Sequence, residues 1–244
     1  MPDKAFTIMS VVPAHNEGES IASLIEKILA VEVPGYELQV FIAEDGSSDS
    51  TRAEVLRVQR EFPSQRVILS PESGRLGYSE AIRRAIASAD SDYVWFLDGD
   101  GQLEPQDLNK LVEGLTSQSQ FIVGYRDPRV DTKARIAFSK LFGVAYRLAG
   151  GPKLKDPSSP FLLIPTGTAQ KLTSSPAHLG FGFWWEFQIR ARHLGLSPVE
   201  VPVPHYNRDS GITRVYSLKK LPGIVSSHLL GLYRLRKELN SAKS

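Results

Sequence analysis

The 244-residue chain contains no cysteine. Disulfide staples, thiolate metal sites and cysteine nucleophiles are all excluded by that one absence. No uninterrupted apolar run reaches the roughly 18 residues that a spanning helix needs. Charge of one sign is also missing: 29 basic and 27 acidic residues leave a net +2. So even a balance gives no gross attraction to a polyanion, and no nucleic-acid partner is expected. The start of the sequence lacks a secretory pattern, because Asp3 and Lys4 precede a short apolar run that Pro13 closes. A cytoplasmic protein is the expectation. Two phosphate-binding fingerprints are absent as well, GxGxxG after the first strand and GxxxxGK followed by Ser or Thr. What is present is ordinary for a globular protein, with 41% hydrophobic and 23% charged residues. The length suffices for one large domain or two small ones.

Apolar runs and helical faces alternate along the chain. Ile8 to Val12 reads as a first strand and Ile21 to Leu29 as a helix ended by Pro34 and Gly35. Leu38 to Ala43 is a second strand, followed by a turn and a helix bearing Val55, Leu56 and Val58. Val67 to Leu69, a helix with Ala81, Ile82, Ala85 and Ile86, and the strand at Tyr93 continue the pattern. Such alternation predicts a mainly parallel, Rossmann-like α/β sheet with helices on both faces. Ligands then collect beyond the carboxyl ends of the strands. Further on, the spacing predicts a helix over 133–148, a strand over 161–164, a helix over 180–194 and an edge strand over 198–204. The tail, 216–244, places Leu221, Ile224, Val225, Leu229, Leu232, Leu235 and Leu239 on one helical face beside Arg234, Arg236 and Lys237. An amphipathic helix of this kind packs on the domain, 1–215, or lies on an anionic membrane surface.

The stretch Tyr93–Val94–Trp95–Phe96–Leu97–Asp98–Gly99–Asp100–Gly101–Gln102 organises the rest. It begins as a strand buried on both faces and ends in two carboxylates one residue apart. Side chains alternate along an extended backbone, so Asp98 and Asp100 can share a face. Two like charges there call for a cation, and oxygen donors suit a hard divalent ion. A plain hydrophilic loop after a core strand fits the residues too. An EF-hand does not, since Leu103 stands where its glycine belongs and Asn109 where its glutamate belongs. In such a sheet the acidic residues Glu17, Asp45, Asp98 and Asp100 would all fall in loops facing one crevice.

Five blocks in order give the sequence its resemblance to a known family. They are Val11–Val12–Pro13–Ala14–His15–Asn16–Glu17, Glu44–Asp45–Gly46–Ser47–Ser48–Asp49–Ser50–Thr51, Asp98–Gly99–Asp100–Gly101–Gln102, Gly124–Tyr125–Arg126 and Val201–Pro202–Val203–Pro204–His205–Tyr206–Asn207–Arg208 with Gly211 and Arg214. Together they resemble the family 2 inverting glycosyltransferases of GT-A fold, and among those the polyprenyl (dolichyl) phosphate mannose or glucose synthases. The resemblance covers residues 6 to 215.

It implies transfer of a hexose from a GDP- or UDP-linked sugar to a polyprenyl phosphate. Pro13, Ala14, Glu17 and Asp45 would line the nucleoside slot, with Ala43 as a backbone contact and Gly99 leaving room for the donor. Asp98, Asp100 and Gln102 would hold Mg²⁺ or Mn²⁺. Arg126, Arg135, Arg208 and Arg214 lie where the resemblance puts phosphate-binding cations. Glu186 and Asp156 align with acidic residues of the synthases, and either would serve as base were the acceptor a hydroxyl; a helix-cap or ion-pair role is the alternative. Such an enzyme would work at the cytoplasmic face of the membrane through a peripheral contact. A non-catalytic nucleotide-sugar-binding adaptor is the third class. Two departures concern the acceptor side: Ser158–Ser159–Pro160–Phe161–Leu162 lacks the arginine of the family's TSGFR-like block, and Arg214 replaces its terminal lysine.

Overall fold

The computed structural model describes residues 5–62, 66–72, 74–99, 101–117, 119–128, 142–180, 182–206 and 221–241. Asp100, Arg135, Arg208 and Arg214 lie outside the described residues, so the roles expected of them have no structural account.

Strand β1 (Phe6–Ala14) shows why the chain builds a sheet covered on both faces. Its side chains alternate: Ile8 and Val12 enter one core, while Met9 and Val11 enter another. The same split recurs in β4 (Tyr93–Phe96), where Trp95 joins the first core and Val94 and Phe96 the second. Helices α1 (Ile21–Leu29), α2 (Thr51–Glu61) and α4 (Leu108–Glu113) close the first core. Helices α3 (Tyr78–Ser88), α6 (Thr166–Leu172) and α7 (Phe183–His193) close the second.

Among the described residues seven strands form one sheet in the order β3-β2-β1-β4-β6-β5-β7. The remaining strands are β2 (Tyr36–Glu44), β3 (Val67–Leu69), β5 (Ile122–Arg126), β6 (Leu162–Pro165) and β7 (Val199–Val203). β1 pairs in parallel with β2 and β4, and β2 with β3. β6 runs antiparallel between β4 and β5, and β7 lies parallel to β5 as an edge strand. Six strands therefore end on one edge of the sheet. The order reverses between β1 and β4, which opens a crevice at their carboxyl ends.

The mainly parallel α/β expectation agrees with this sheet. The strands β1 and β2 run longer than their apolar cores, because the zipped loops described below extend the ladder to Ala14 and Glu44. Helix α6 went unread, since its short, polar Thr166–Leu172 segment carries too few apolar residues to show a period. Of the helix expected over 133–148, residues 142–148 are described and are helical (α5).

A third apolar cluster joins α5, α7 and α8 (Leu221–Ser241). Leu232 and Leu235 of α8 pack with Phe142, Tyr146, Leu179, Trp185 and Ile189. Gly231 lets the helix come in close: a β-carbon there would lie 2.6 Å from the His178 carbonyl oxygen. No described helix is long and apolar enough to cross a membrane.

Candidate active site

The loops after β1 and β2 are zipped together by side chains that cap each other's backbone. Asn16, at φ +58°, accepts from the Ser48 amide at 2.8 Å, and its own amide donates to Ser47 Oγ at 3.0 Å. The Glu17 amide donates to Thr51 Oγ1 at 2.8 Å. Asp49 accepts from the Thr51 hydroxyl and amide and from the Gly18 amide. Burial raises the Asp49 pKa, but these hydrogen bonds together outweigh it and hold the carboxyl below its ordinary range. Gly46, at φ +63°, lets this loop approach the next one, since a β-carbon there would sit 2.7 Å from the Arg75 nitrogen.

Asp45 is buried, and its carboxylate is already employed. Oδ1 accepts from the Leu76 amide at 2.5 Å, and the Gly77 amide reaches both oxygens at 2.9 and 3.1 Å. The residue expected to read the nucleoside thus holds the turn that opens α3. His15 bridges the same region: Arg75 Nη1 lies 2.7 Å from His15 Nε2, and His15 Nδ1 lies 2.9 Å from the Asp45 carbonyl oxygen. A guanidinium only donates, so Nε2 is the acceptor and the ring proton sits on Nδ1. Arg75 itself is largely exposed at the crevice rim.

The end of β4 lies against the end of β1. A β-carbon on Gly99 would come within 3.4 Å of the Pro13 carbonyl oxygen and 3.9 Å of Glu17 Cγ. Pro13, Ala14, Glu17, Ala43 and Gly99 are thus gathered at one place, with Pro13 registered on Ala43 across the sheet. Asp98 Oδ1 accepts from the Tyr78 hydroxyl at 2.9 Å, and Trp184 Nε1 donates to that hydroxyl at 2.8 Å. Gln102 is tied to the segment after β7: its Nε2 donates to the Tyr206 carbonyl oxygen at 3.3 Å, and its backbone carbonyl oxygen accepts from the Tyr206 amide at 2.9 Å. With the amide nitrogen so used, oxygen is the atom Gln102 would offer a cation. Asp98 and Gln102 together present hard oxygen donors, which fit Mg²⁺ or Mn²⁺. Among the described residues no three His, Cys, Asp or Glu side chains cluster as a metal cage. The expected set contains two carboxylates and an amide, one carboxylate being the undescribed Asp100.

Two expected catalytic residues are committed elsewhere. Arg126 forms a bidentate ion pair with Asp156, at 2.6 Å to Oδ2 and 3.0 Å to Oδ1, and also donates to Ser158 Oγ at 2.9 Å. Their side chains are 9% and 3% exposed, so the pair is buried. Glu186 is 2% exposed. Its Oε2 accepts from the His178 and Leu179 amides at 2.7 and 2.8 Å, and its Oε1 from Arg190 at 2.7 and 2.9 Å. Of the two roles expected of Glu186, these contacts are those of the helix-cap and ion-pair role. Four hydrogen bonds occupy its lone-pair sites and make it a staple between α7 and the preceding loop. The ion-pair alternative describes Asp156 and Glu186 alike, and Arg126 is a partner of Asp156 before it is a phosphate ligand.

Tyr78 and Trp184 are the site residues that the sequence did not disclose. They touch across 106 positions of chain, and both stand in helices as ordinary aromatics of a packed face.

Comparison with known proteins gives the chain its family and fold. The undecaprenyl-phosphate 4-deoxy-4-formamido-L-arabinose transferase of Edwardsiella ictaluri is 26% identical over 212 residues, covering 86% of this chain and 63% of that protein. Its counterpart from Pectobacterium carotovorum is 28% identical over 223 residues, covering 91% and 66%. The chain thus spans slightly less than two thirds of these relatives. Glycosyltransferase AglJ of Haloferax volcanii is 26% identical over 235 residues, covering 94% of this chain and 72% of its own. Among solved structures, glucosyl-3-phosphoglycerate synthase from Mycobacterium tuberculosis, in complex with Mn²⁺, UDP and phosphoglyceric acid, shares the fold. Its TM-score is 0.68 at 22% identity, covering 95% of this chain and 78% of that one. The profile of glycosyl transferase family 2 matches residues 10–172, more than half of the sequence, and the chain belongs to that family, with a GT-A fold.

Proposed function

We propose that this chain transfers a hexose from a nucleotide diphosphate sugar to a polyprenyl phosphate, with inversion at the anomeric carbon. The observation that carries the reading is the crevice edge where Gly99, next to Asp98, closes on Pro13 and Glu17, with Gln102 three residues further on tied to Tyr206. Support for the acceptor comes from relatives named as undecaprenyl-phosphate sugar transferases. Support for a metal and a uridine nucleotide comes from a fold neighbour crystallised with Mg²⁺ or Mn²⁺ and UDP.

In this reading Asp98, Asp100 and Gln102 hold Mg²⁺ or Mn²⁺, which when bound neutralises the diphosphate and acts as a Lewis acid for its departure. Pro13, Ala14, Ala43, Glu17 and Gly99 shape the nucleoside slot, and Asp45 shapes it indirectly through the 76–77 turn. A phosphate monoester has its second pKa near about 6 and is already an anionic nucleophile at neutral pH. Its oxygen attacks the anomeric carbon from the face opposite the leaving group. The C–O bond to the nucleotide breaks and the nucleoside diphosphate leaves with the electron pair, so no protein base takes a proton. The engagement of Glu186 and Asp156 in ion pairs favours this phosphate acceptor over a hydroxyl. The cations for two adjacent phosphates are then Arg135, Arg208 and Arg214, with Arg126 held in place by Asp156 and Ser158.

The α5 and α8 helices offer a surface for the lipid side. Arg236 Nη1 donates to the Leu148 carbonyl oxygen, so the two helices lie together. Val144 and Leu148 on α5 and Leu229, Leu230 and Tyr233 on α8 are exposed, with Arg147, Arg234 and Lys237 exposed among them. Apolar side chains ringed by cations suit an anionic membrane interface.

The test is transfer by the purified chain, with a panel of GDP- and UDP-sugars, undecaprenyl phosphate and Mn²⁺ or Mg²⁺. A lipid-linked product that disappears with EDTA and in Asp98→Ala is expected. Transfer only to a hydroxyl acceptor, or metal-independent transfer, would overturn the reading. Sedimentation with vesicles containing phosphatidylglycerol should fall on Tyr233→Glu; equal sedimentation would remove the membrane role of α8.

A further inference from the structure

Trp184, Tyr78 and Asp98 form a chain of hydrogen bonds whose direction is fixed. Indole nitrogen donates and cannot accept, so the 2.8 Å contact places a Trp184 proton on the Tyr78 oxygen. The tyrosine has one proton of its own, and the 2.9 Å contact to Asp98 Oδ1 uses it. Tyr78 therefore donates to Asp98 Oδ1, and the phenol cannot turn round without losing the indole.

The surroundings hold Tyr78 in that place. It is the first residue of α3, and the turn before it is clamped by Asp45 through the Leu76 and Gly77 amides. On the other side Ser79 Oγ donates toward the carbonyl oxygens of Leu179 and Gly180 at 3.1 and 3.2 Å. Trp184 is fixed in turn by edge-on packing against Phe96, the last residue of β4, with ring centroids 4.9 Å apart. Trp184 and Asp98, the two partners described for the hydroxyl, thus stand on different elements.

We infer that Tyr78 and Trp184 are positioning residues that fix the orientation of the Asp98 carboxylate toward the donor and its metal. The inference rests on the donor site proposed above. A carboxylate free to rotate would sample orientations that do not present its oxygen to the cation. Preorganisation removes that ordering cost from donor binding. The gain belongs to metal-dependent binding, since the relay ends on a proposed metal carboxylate and not on the nucleoside slot.

The experiment is calorimetric titration of UDP and GDP, with and without Mn²⁺, on the wild type, Tyr78→Phe, Trp184→Phe and Asp98→Ala. Melting midpoints of the four proteins accompany it. Tyr78→Phe keeps the ring and removes only the hydroxyl. It should weaken Mn²⁺-dependent nucleotide binding about 10-fold, the scale of one hydrogen bond to a charged group, while metal-free binding and the midpoint stay at wild-type values. Trp184→Phe releases the phenol and should weaken the same quantity by about 3-fold. Metal-dependent affinity at the wild-type level in Tyr78→Phe, with binding lost in Asp98→Ala, would overturn the inference and leave the donor site standing. Equal losses with and without Mn²⁺ would also overturn it, since they mark a general structural effect. Metal-dependent binding retained in Asp98→Ala would overturn the donor site and the inference together.

Discussion

Replacing Asp156 with leucine separates two roles for its carboxylate, partner of a buried arginine or general base. The Arg126 guanidinium meets Asp156 through two hydrogen bonds at 2.6 and 3.0 Å, with both side chains nearly sealed from water. Unit charges about 3 Å apart attract by about 5 kcal/mol at an effective dielectric of about 20. Desolvation of both ions offsets much of that, so the intact pair adds little net stability. Removing one member is different, because the desolvated guanidinium keeps its cost and loses the charge that compensated it. Breaking a buried pair in this way costs about 3–5 kcal/mol. Urea unfolding should therefore show Asp156→Leu destabilised by that amount, and Arg126→Met combined with Asp156→Leu recovering most of the loss. A base would behave otherwise: the leucine variant would abolish turnover while its unfolding midpoint stayed put. Stability within about 1 kcal/mol of wild type in Asp156→Leu would refute the argument.

Three further outcomes follow from the same kind of reasoning. Hydrogen bonds from Arg83, and then Arg84, overcome partial burial and draw the Glu80 carboxyl from about 4.5 to about 2. Because the folded value is depressed, this stability is fully present above the ordinary glutamate range and is lost as pH falls toward 2. The difference in unfolding free energy between wild type and Glu80→Gln should accordingly be constant above about pH 5.5 and shrink between pH 4.5 and 2; a difference that ignores pH in that window would refute the assignment. Gly46→Ala forces a β-carbon into a left-handed backbone and against the Arg75 nitrogen. It should cost at least about 1–2 kcal/mol in urea unfolding and weaken nucleotide affinity, and a variant of wild-type stability would contradict the close approach. Gly231→Val drives a side chain into the His178 carbonyl. It should lift α8 from α7, read as faster hydrogen exchange along 221–241, and unchanged exchange would mean the helix docks without needing that gap.

Much of the fold was legible because local pattern and tertiary burial agreed. The two-faced burial of β4 is written as an unbroken apolar run and that of β1, from Ile8 to Val12, as one interrupted only by Ser10, and the amphipathic faces of α1 and α3 repeat at helical spacing. The direction of β6 was not legible, since four apolar residues pack equally well pointing either way. In the site, the acidic residues were found because charge at the end of a core strand is conspicuous. Their employment was not. Sequence gives Asp45 and Glu186 as carboxylates near a crevice, but the amides they bind belong to residues 31 and 8 positions away. A backbone amide has no signature in the side-chain alphabet, so nothing at positions 76–77 or 178–179 announces that it needs an acceptor. The Arg126–Asp156 pair is hidden for a related reason. Opposite charges 30 residues apart are common, and only burial turns this one into a structural unit.

Asp45 and Glu186 turn out to serve the same helix from opposite sides. Asp45 binds the amides of the turn before α3. Glu186 binds the amides of His178 and Leu179, and the carbonyl of Leu179 and its neighbour Gly180 receive the Ser79 hydroxyl in the first turn of α3. Between these two clamps sits Tyr78, whose hydroxyl ends on Asp98. In the proposed reading, two buried carboxylates that look like substrate ligands act on the donor site at one remove, by holding the backbone that holds the tyrosine. Loss of activity on mutating either would not by itself make it a ligand or a base. The distinction lies in which quantity moves: a nucleoside ligand affects binding with or without the cation, whereas a clamp on α3 acts through Asp98 and shows itself when the cation is present.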